Sequence, residues 1–168
     1  MNPSDYIISR QVEWARNRGL ELIGSQGQKG RKVYTTSLDH NLLQPLHEQT
    51  RQNISNGDGG ELNGNEARPA KMQALHSSSA LGINVFDYWK VAEDLAPITA
   101  SCGLSRFGSR LSGDVRFEQQ FQIDKRFRYA PNLDVAIYPN TSKYKVFAIE
   151  CKFTEAYNSI RTWGQVKN

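Results

Sequence analysis

The stretch PNLDVAIYPNTSKYKVFAIECKF, running from Pro131 to Phe153, decides how the rest of the chain is read. Leu133–Tyr138 and Lys145–Phe153 are strand-like segments. Pro139-Asn-Thr-Ser-Lys-Tyr144 between them carries turn chemistry, so the pair predicts an antiparallel hairpin. Side chains alternate between the two faces of a strand. Phe147, Ile149, Cys151 and Phe153 therefore share an apolar face, while Ala148, Glu150 and Lys152 share the other. If the hairpin turns near Ser142, Asp134 falls opposite Glu150 and joins the charged face, and Leu133, Val135 and Ile137 join the apolar one.

Two carboxylates about 5 Å apart repel and raise each other's pKa unless a cation lies between them. Hard oxygen donors beside a lysine suit Mg²⁺ better than zinc. Such an ion polarises a phosphodiester oxygen and lowers the pKa of a bound water. Lys152 is placed to position that water or to neutralise charge developing on phosphorus. The competing reading is a structural ion pair on a solvated strand face.

Outward from the hairpin, Val115, Phe117, Phe121 and Ile123 alternate with Arg116, Glu118, Gln120 and Gln122, which predicts a half-exposed strand over 115–123. A largely apolar helix is expected after the capping serines Ser77–Ser79, continuing through Leu95 and ending at Pro97. Earlier helices are expected over Ser4–Arg18, capped by Ser4 or Asp5, and from Leu38 or Asp39 to Ile54. A last one is expected over Glu155–Val166, carrying Tyr157, Ile160 and Trp163. The glycine-rich run Gly24–Lys32 lacks the Gly-Lys-Ser/Thr of a phosphate-binding loop and reads as a basic loop. Ser55–Pro69, rich in Asn, Gly and acids, does not follow EF-hand spacing and reads as an exposed loop, the place to look for a functional excursion.

Pro131-Asn132-Leu133-Asp134, the hairpin and Glu150-Cys151-Lys152 resemble the PD-(D/E)XK nuclease superfamily, the restriction-endonuclease-like fold. His76-Ser-Ser-Ser-Ala80-Leu-Gly-Ile-Asn84-Val-Phe86 is similar to the helix before the catalytic sheet in some of its bacterial and phage members, and Glu150–Glu155 extends the likeness over about residues 76–156. The resemblance implies an α/β (α+β) core with a mixed central β-sheet and a catalytic hairpin flanked by helices. It divides the chain into an N-terminal helical extension, 1–75, which matches no motif, and a nuclease core, 76–168. It also implies Mg²⁺-dependent cleavage of double-stranded DNA, with Mn²⁺ as a substitute, Asp134 and Glu150 as metal ligands and Lys152 as the catalytic lysine. Glu118 is the candidate third acid, with Glu93 the weaker one. Arg106, Arg110, Arg126 and Arg128 are candidates for DNA contact. The fold usually continues to a further strand after its last helix. A compact variant, a strand supplied from elsewhere and a fragment are all open. A two-fold dimer is one arrangement that cuts both strands of a duplex.

The whole-chain arithmetic is compatible with this. Within 168 residues, 21 Lys and Arg stand against 17 Asp and Glu, a net charge of +4, and 38% of residues are hydrophobic, enough for one packed core. The excess is concentrated in 1–32 and 111–168, which suits a polyanionic partner. No apolar run approaches the roughly 18 residues of a membrane span, and Met1–Arg10 holds no apolar signal core, so a cytoplasmic protein is expected. Two cysteines, Cys102 and Cys151, are too few for a disulfide framework. A non-catalytic DNA-binding or assembly module is the main alternative. A cysteine hydrolase using Cys151 or Cys102 with His40, His47 or His76 is a third, weakened because Cys151 falls on the apolar face of its strand.

Overall fold

In the computed structural model, the described residues are 2–57, 60–65, 67–106, 108, 110–124, 126, 130–141 and 143–153. The expected helix over 155–166, Glu155 and Arg128 lie outside them. Four helices are present among the described residues: α1 (Pro3–Asn17), α2 (Glu48–Ser55), α3 (Ser78–Phe86) and α4 (Ala96–Ser101). The strands are β1 (Leu22–Ile23), β2 (Tyr34–Thr35), β3 (Gly113–Gln120), β4 (Asn132–Pro139) and β5 (Phe147–Ile149). β1 and β2 form a small antiparallel ribbon, and β3-β4-β5 form a three-stranded sheet.

All strand pairing among the described residues is antiparallel, so the mixed sheet expected from the sequence is not what these residues form. Neighbouring strands here also follow one another in the chain, and a parallel pair would need a crossover of a dozen or more residues between them. Val115 pairs with Ile137 and Phe117 with Val135 across β3 and β4; Val135 pairs with Ile149 and Ile137 with Phe147 across β4 and β5. These residues line one face of the sheet, and all but Ile149 are buried in the core. α3 packs over this face: a Cβ on Gly82 would stand 3.0 Å from Cys151 Sγ and 3.7 Å from Val135 Cγ2.

The helices differ from expectation where proline intervenes. α1 is capped by Asn2, whose side chain accepts from the Asp5 backbone N–H at 2.8 Å, with Pro3 in the first turn where its missing N–H costs nothing. The single helix expected from Leu38 to Ile54 is instead a 3₁₀ turn, Leu38–Asn41, and then α2. Pro45 disfavours helical backbone at the residue before it and supplies no N–H to the preceding turn, and Leu42 is already extended. The long helix expected from Ser77 is capped by Ser77, which accepts from Ala80 N–H, but regular α structure ends at Phe86 and passes into a 3₁₀ segment, Asp87–Val91. Pro97 does not end that helix. It lies in the first turn of α4.

Segments on both sides of residue 75 share the core, since Leu46, Ile54 and Met72 pack with Ile83, Phe86, Phe117 and Val135. Polar ties reinforce the junction. Gln11 Nε2 donates to Leu75 O at 2.6 Å, and the buried Asp87 carboxyl accepts from Thr50 Oγ1 at 2.5 Å. No helix is long and apolar enough to cross a membrane among the described residues.

Candidate active site

The face of the sheet away from α3 carries Arg116, Ala136, Ala148, Asp134, Glu150 and Lys152 by parity. The hairpin register is the one the turn position implies: Val135 opposite Ile149 places Asp134 across from Glu150, one step past the last paired residue of β5. The β3–β4 register adds a third member. Phe117 pairs with Val135 and Gln119 with Leu133, so Glu118 falls opposite Asp134. A row of three carboxylates therefore crosses three adjacent strands.

Glu118 departs from regular strand geometry. Its φ of 50° lies in the left-handed region, which costs a non-glycine residue on the order of 1–2 kcal/mol. The ladder skips a pair there, and the end of α2 crowds in: a Cβ on Gly57 would stand 3.0 Å from Glu118 Cβ. Asn132 donates its side-chain amide to Glu118 Oε2. Burial pushes the Glu118 carboxyl up to about 7, with Glu61 and Asp134 adding to the rise and Asn132 and Lys71 opposing it.

Glu61 was not singled out from the sequence. It comes from the acid- and glycine-rich stretch read as a loop, has a largely buried side chain, and pairs with Lys71 at 3.1 Å. The only sequence signal for it was that loop's length and carboxylate content.

The remaining members are held from the backbone side. Asp134 Oδ2 accepts the Cys151 N–H at 2.6 Å, which ties β4 to the end of the hairpin at the acid itself. Lys152 donates to Glu150, and both lie toward solvent. Burial pushes the Cys151 thiol up to about 11, with Asp134 and Glu150 adding to the rise. Burial raises Cys102 as well. Thiols so protonated are poor nucleophiles, which argues against the cysteine-hydrolase reading.

The arginine candidates separate. Arg126 is bound to Asp124 through two side-chain nitrogens at 2.7–3.0 Å, so its charge is locally compensated. Arg106 and Arg110 lie together at the opposite end of the hairpin, bordering a groove. Glu93 has no place in the carboxylate row.

Among the described residues no three His, Cys, Asp or Glu side chains stand close enough together to enclose an ion. The donor set nevertheless suits a hard divalent cation. Asp134 and Glu61 add to the rise of the Glu118 carboxyl, and Asn132 Oδ1 beside it is buried with no hydrogen-bond partner. Asp134 and Glu150, with Glu118, are the residues that would hold it.

Two consequences can be measured. Glu118 keeps its proton to about pH 7 when folded and loses it near 4.5 when unfolded. Between those values the folded state binds more protons, so its contribution to stability falls as pH rises. In EDTA, Glu118→Gln should flatten the decline in urea midpoint between pH 4.5 and 7 and raise the midpoint at pH 8. A wild-type slope in the variant would contradict the assignment.

The second concerns Gly82. A methyl there gains about 1 kcal/mol of helix propensity but presses on Cys151, costing roughly 1–3 kcal/mol. Net stability should move little, whereas the strand between Glu150 and Lys152 must shift by a few tenths of an ångström. If the site hydrolyses a phosphodiester, as proposed below, Gly82→Ala should slow that reaction by about three- to tenfold. Adding Cys151→Ala should restore the rate.

This α+β arrangement, with an antiparallel three-stranded sheet backed by a helix, is consistent with a restriction-endonuclease-like domain. Residues 9–161 match the family described as restriction endonuclease associating with ARP, and the chain belongs to that family. The match begins well before residue 76 and so takes in most of the N-terminal segment. No curated protein and no solved structure matches the chain.

Proposed function

We propose that the chain is a Mg²⁺-dependent DNA endonuclease of the PD-(D/E)XK type, acting in restriction or defence against foreign DNA. The observation that carries this reading is the carboxylate row Glu118–Asp134–Glu150 across adjacent strands, with Lys152 two residues beyond Glu150. Membership in a family described by restriction endonuclease activity supports DNA as the substrate, and by its description an association with ARP.

The chain's own residues divide the work. Asp134 and Glu150 would hold the ion, which when bound would supply Lewis-acid activation of the phosphodiester and of a water. The Cys151 N–H fixes one oxygen of Asp134 and so orients the other. Lys152, paired with Glu150 and half exposed, would hold its ammonium near the attacked phosphate and offset the charge that develops there. Glu118, whose carboxyl is pushed up to about 7 by burial, would be a further oxygen donor once deprotonated.

The test is incubation with supercoiled, linear and single-stranded DNA and with RNA, in Mg²⁺, Mn²⁺ or EDTA. Cleavage of DNA in either metal and none in EDTA is the expected result. Cleavage that persists in EDTA would overturn the metal-dependent mechanism. DNA binding without cleavage in any metal would favour the non-catalytic module.

A further inference from the structure

The turn end of the hairpin holds a second feature that the carboxylate row does not use. A groove of about 790 Å³ lies between the segment after α4 and the loop joining β4 to β5. Arg106, Arg110 and Lys143 border it, all exposed, with Ser112, Asn140 and the ring of Tyr144. No acidic residue is among the described residues that line it. The carboxylate in electrostatic reach of Arg110 is Asp94, and its Oδ1 already accepts the N–H groups of Ala96 at 3.0 Å and Leu111 at 2.9 Å. Lys143 stands 5.0 Å from the centre of the Tyr144 ring, and Tyr144 packs on Phe147 with ring centres 5.3 Å apart, so this wall is anchored to the core. The Asn140 N–H donates to Ser112 O at 2.8 Å, which ties the loop to the start of β3.

A single small anion is best held by convergent, buried donors. These three cations are instead spread along an open rim, the arrangement that meets several phosphates in succession. Asp134 and the groove occupy opposite ends of β4. At roughly 3.4 Å per residue they are about 17 Å apart along the strand, which corresponds to about five base pairs of duplex.

Resting on the reading of DNA as substrate, we propose that this groove is a second contact for the phosphodiester backbone of duplex DNA, separate from the cleavage site and sequence-independent. Each cation that neutralises a phosphate steepens the salt dependence of binding by about 0.9 in log–log slope, so three contribute about 2.7.

The test is fluorescence anisotropy with a labelled duplex of about 20 base pairs in EDTA, from 50 to 200 mM KCl, which needs no catalysis. The triple variant Arg106→Ala, Arg110→Ala, Lys143→Ala should lower the slope by about 2.7. Between the two salt concentrations it should then lose roughly 40-fold less affinity than wild type. A triple variant with wild-type slope and affinity would overturn the proposal. So would competition by millimolar AMP as effective, per phosphate, as unlabelled duplex, because the groove would then be a small-anion site. A protein that binds with the expected slope but never cleaves would sink the nuclease reading and leave the groove standing.

Discussion

Asp134→Asn is expected to abolish Mg²⁺-dependent DNA cleavage while leaving the hairpin folded. The amide keeps an oxygen where Asp134 Oδ2 accepts the Cys151 N–H at 2.6 Å, so the backbone tie between β4 and the Glu-x-Lys segment survives. Alanine would leave that N–H without its acceptor, at about 1–3 kcal/mol, and confuse loss of fold with loss of chemistry. What Asn removes is the charge at the centre of the carboxylate row. Charge stabilisation by a bound ion amounts to several kcal/mol in the transition state, and each 1.36 kcal/mol is tenfold in rate, so a loss of about 10³-fold or more is expected. Lys152→Ala should cost about 10²–10³-fold with little effect on stability, because its side chain is about half exposed and its pairing with Glu150 lies toward solvent. Unchanged cleavage by both variants, in matched Mg²⁺ and with unaltered circular dichroism, would remove the assignment.

The second large effect is on stability. Phe117 is 1% exposed at the middle of β3, the largest fully buried side chain, and it faces Val135 across the sheet. Phe117→Ala should cost about 3–5 kcal/mol, a large part of the roughly 5–15 kcal/mol that stabilises a domain. The damage should reach the site as well, because Glu118 follows Phe117 directly and its left-handed backbone is maintained only by the packing around it. Urea unfolding measures the first effect. A loss below about 1 kcal/mol would mean that Phe117 does not anchor β3 to the core.

Much of the site was legible because strand parity is a strong rule. Apolar and charged residues two apart fixed the faces of the hairpin, and the turn position set Asp134 against Glu150. Glu118 was reachable by the same alternation on β3, but its backbone geometry was not, since a left-handed glutamate leaves no mark in composition. Glu61 was invisible as an individual because its position depends on a long loop folding back toward β3. Helix lengths were misjudged where the apolar pattern ran across Pro45 and across the 3₁₀ segment Asp87–Val91. There, hydrophobic periodicity outlasted the regular backbone, and proline chemistry was the better guide. Pro97 opens α4 rather than closing the helix before it. The mixed sheet came with the family resemblance rather than from the residues, and the described strands pair only antiparallel.

The proposed function requires that Asp134 and Glu150 form a divalent-cation site. Calorimetric titration of Mn²⁺ into the full chain, the Asp134→Asn variant and a Glu150→Gln variant tests it most directly, without any need to guess a DNA sequence. Saturable binding to the wild type at a defined stoichiometry, lost in both variants, is the predicted result. No binding to the wild type, or the same binding in all three proteins, would contradict it.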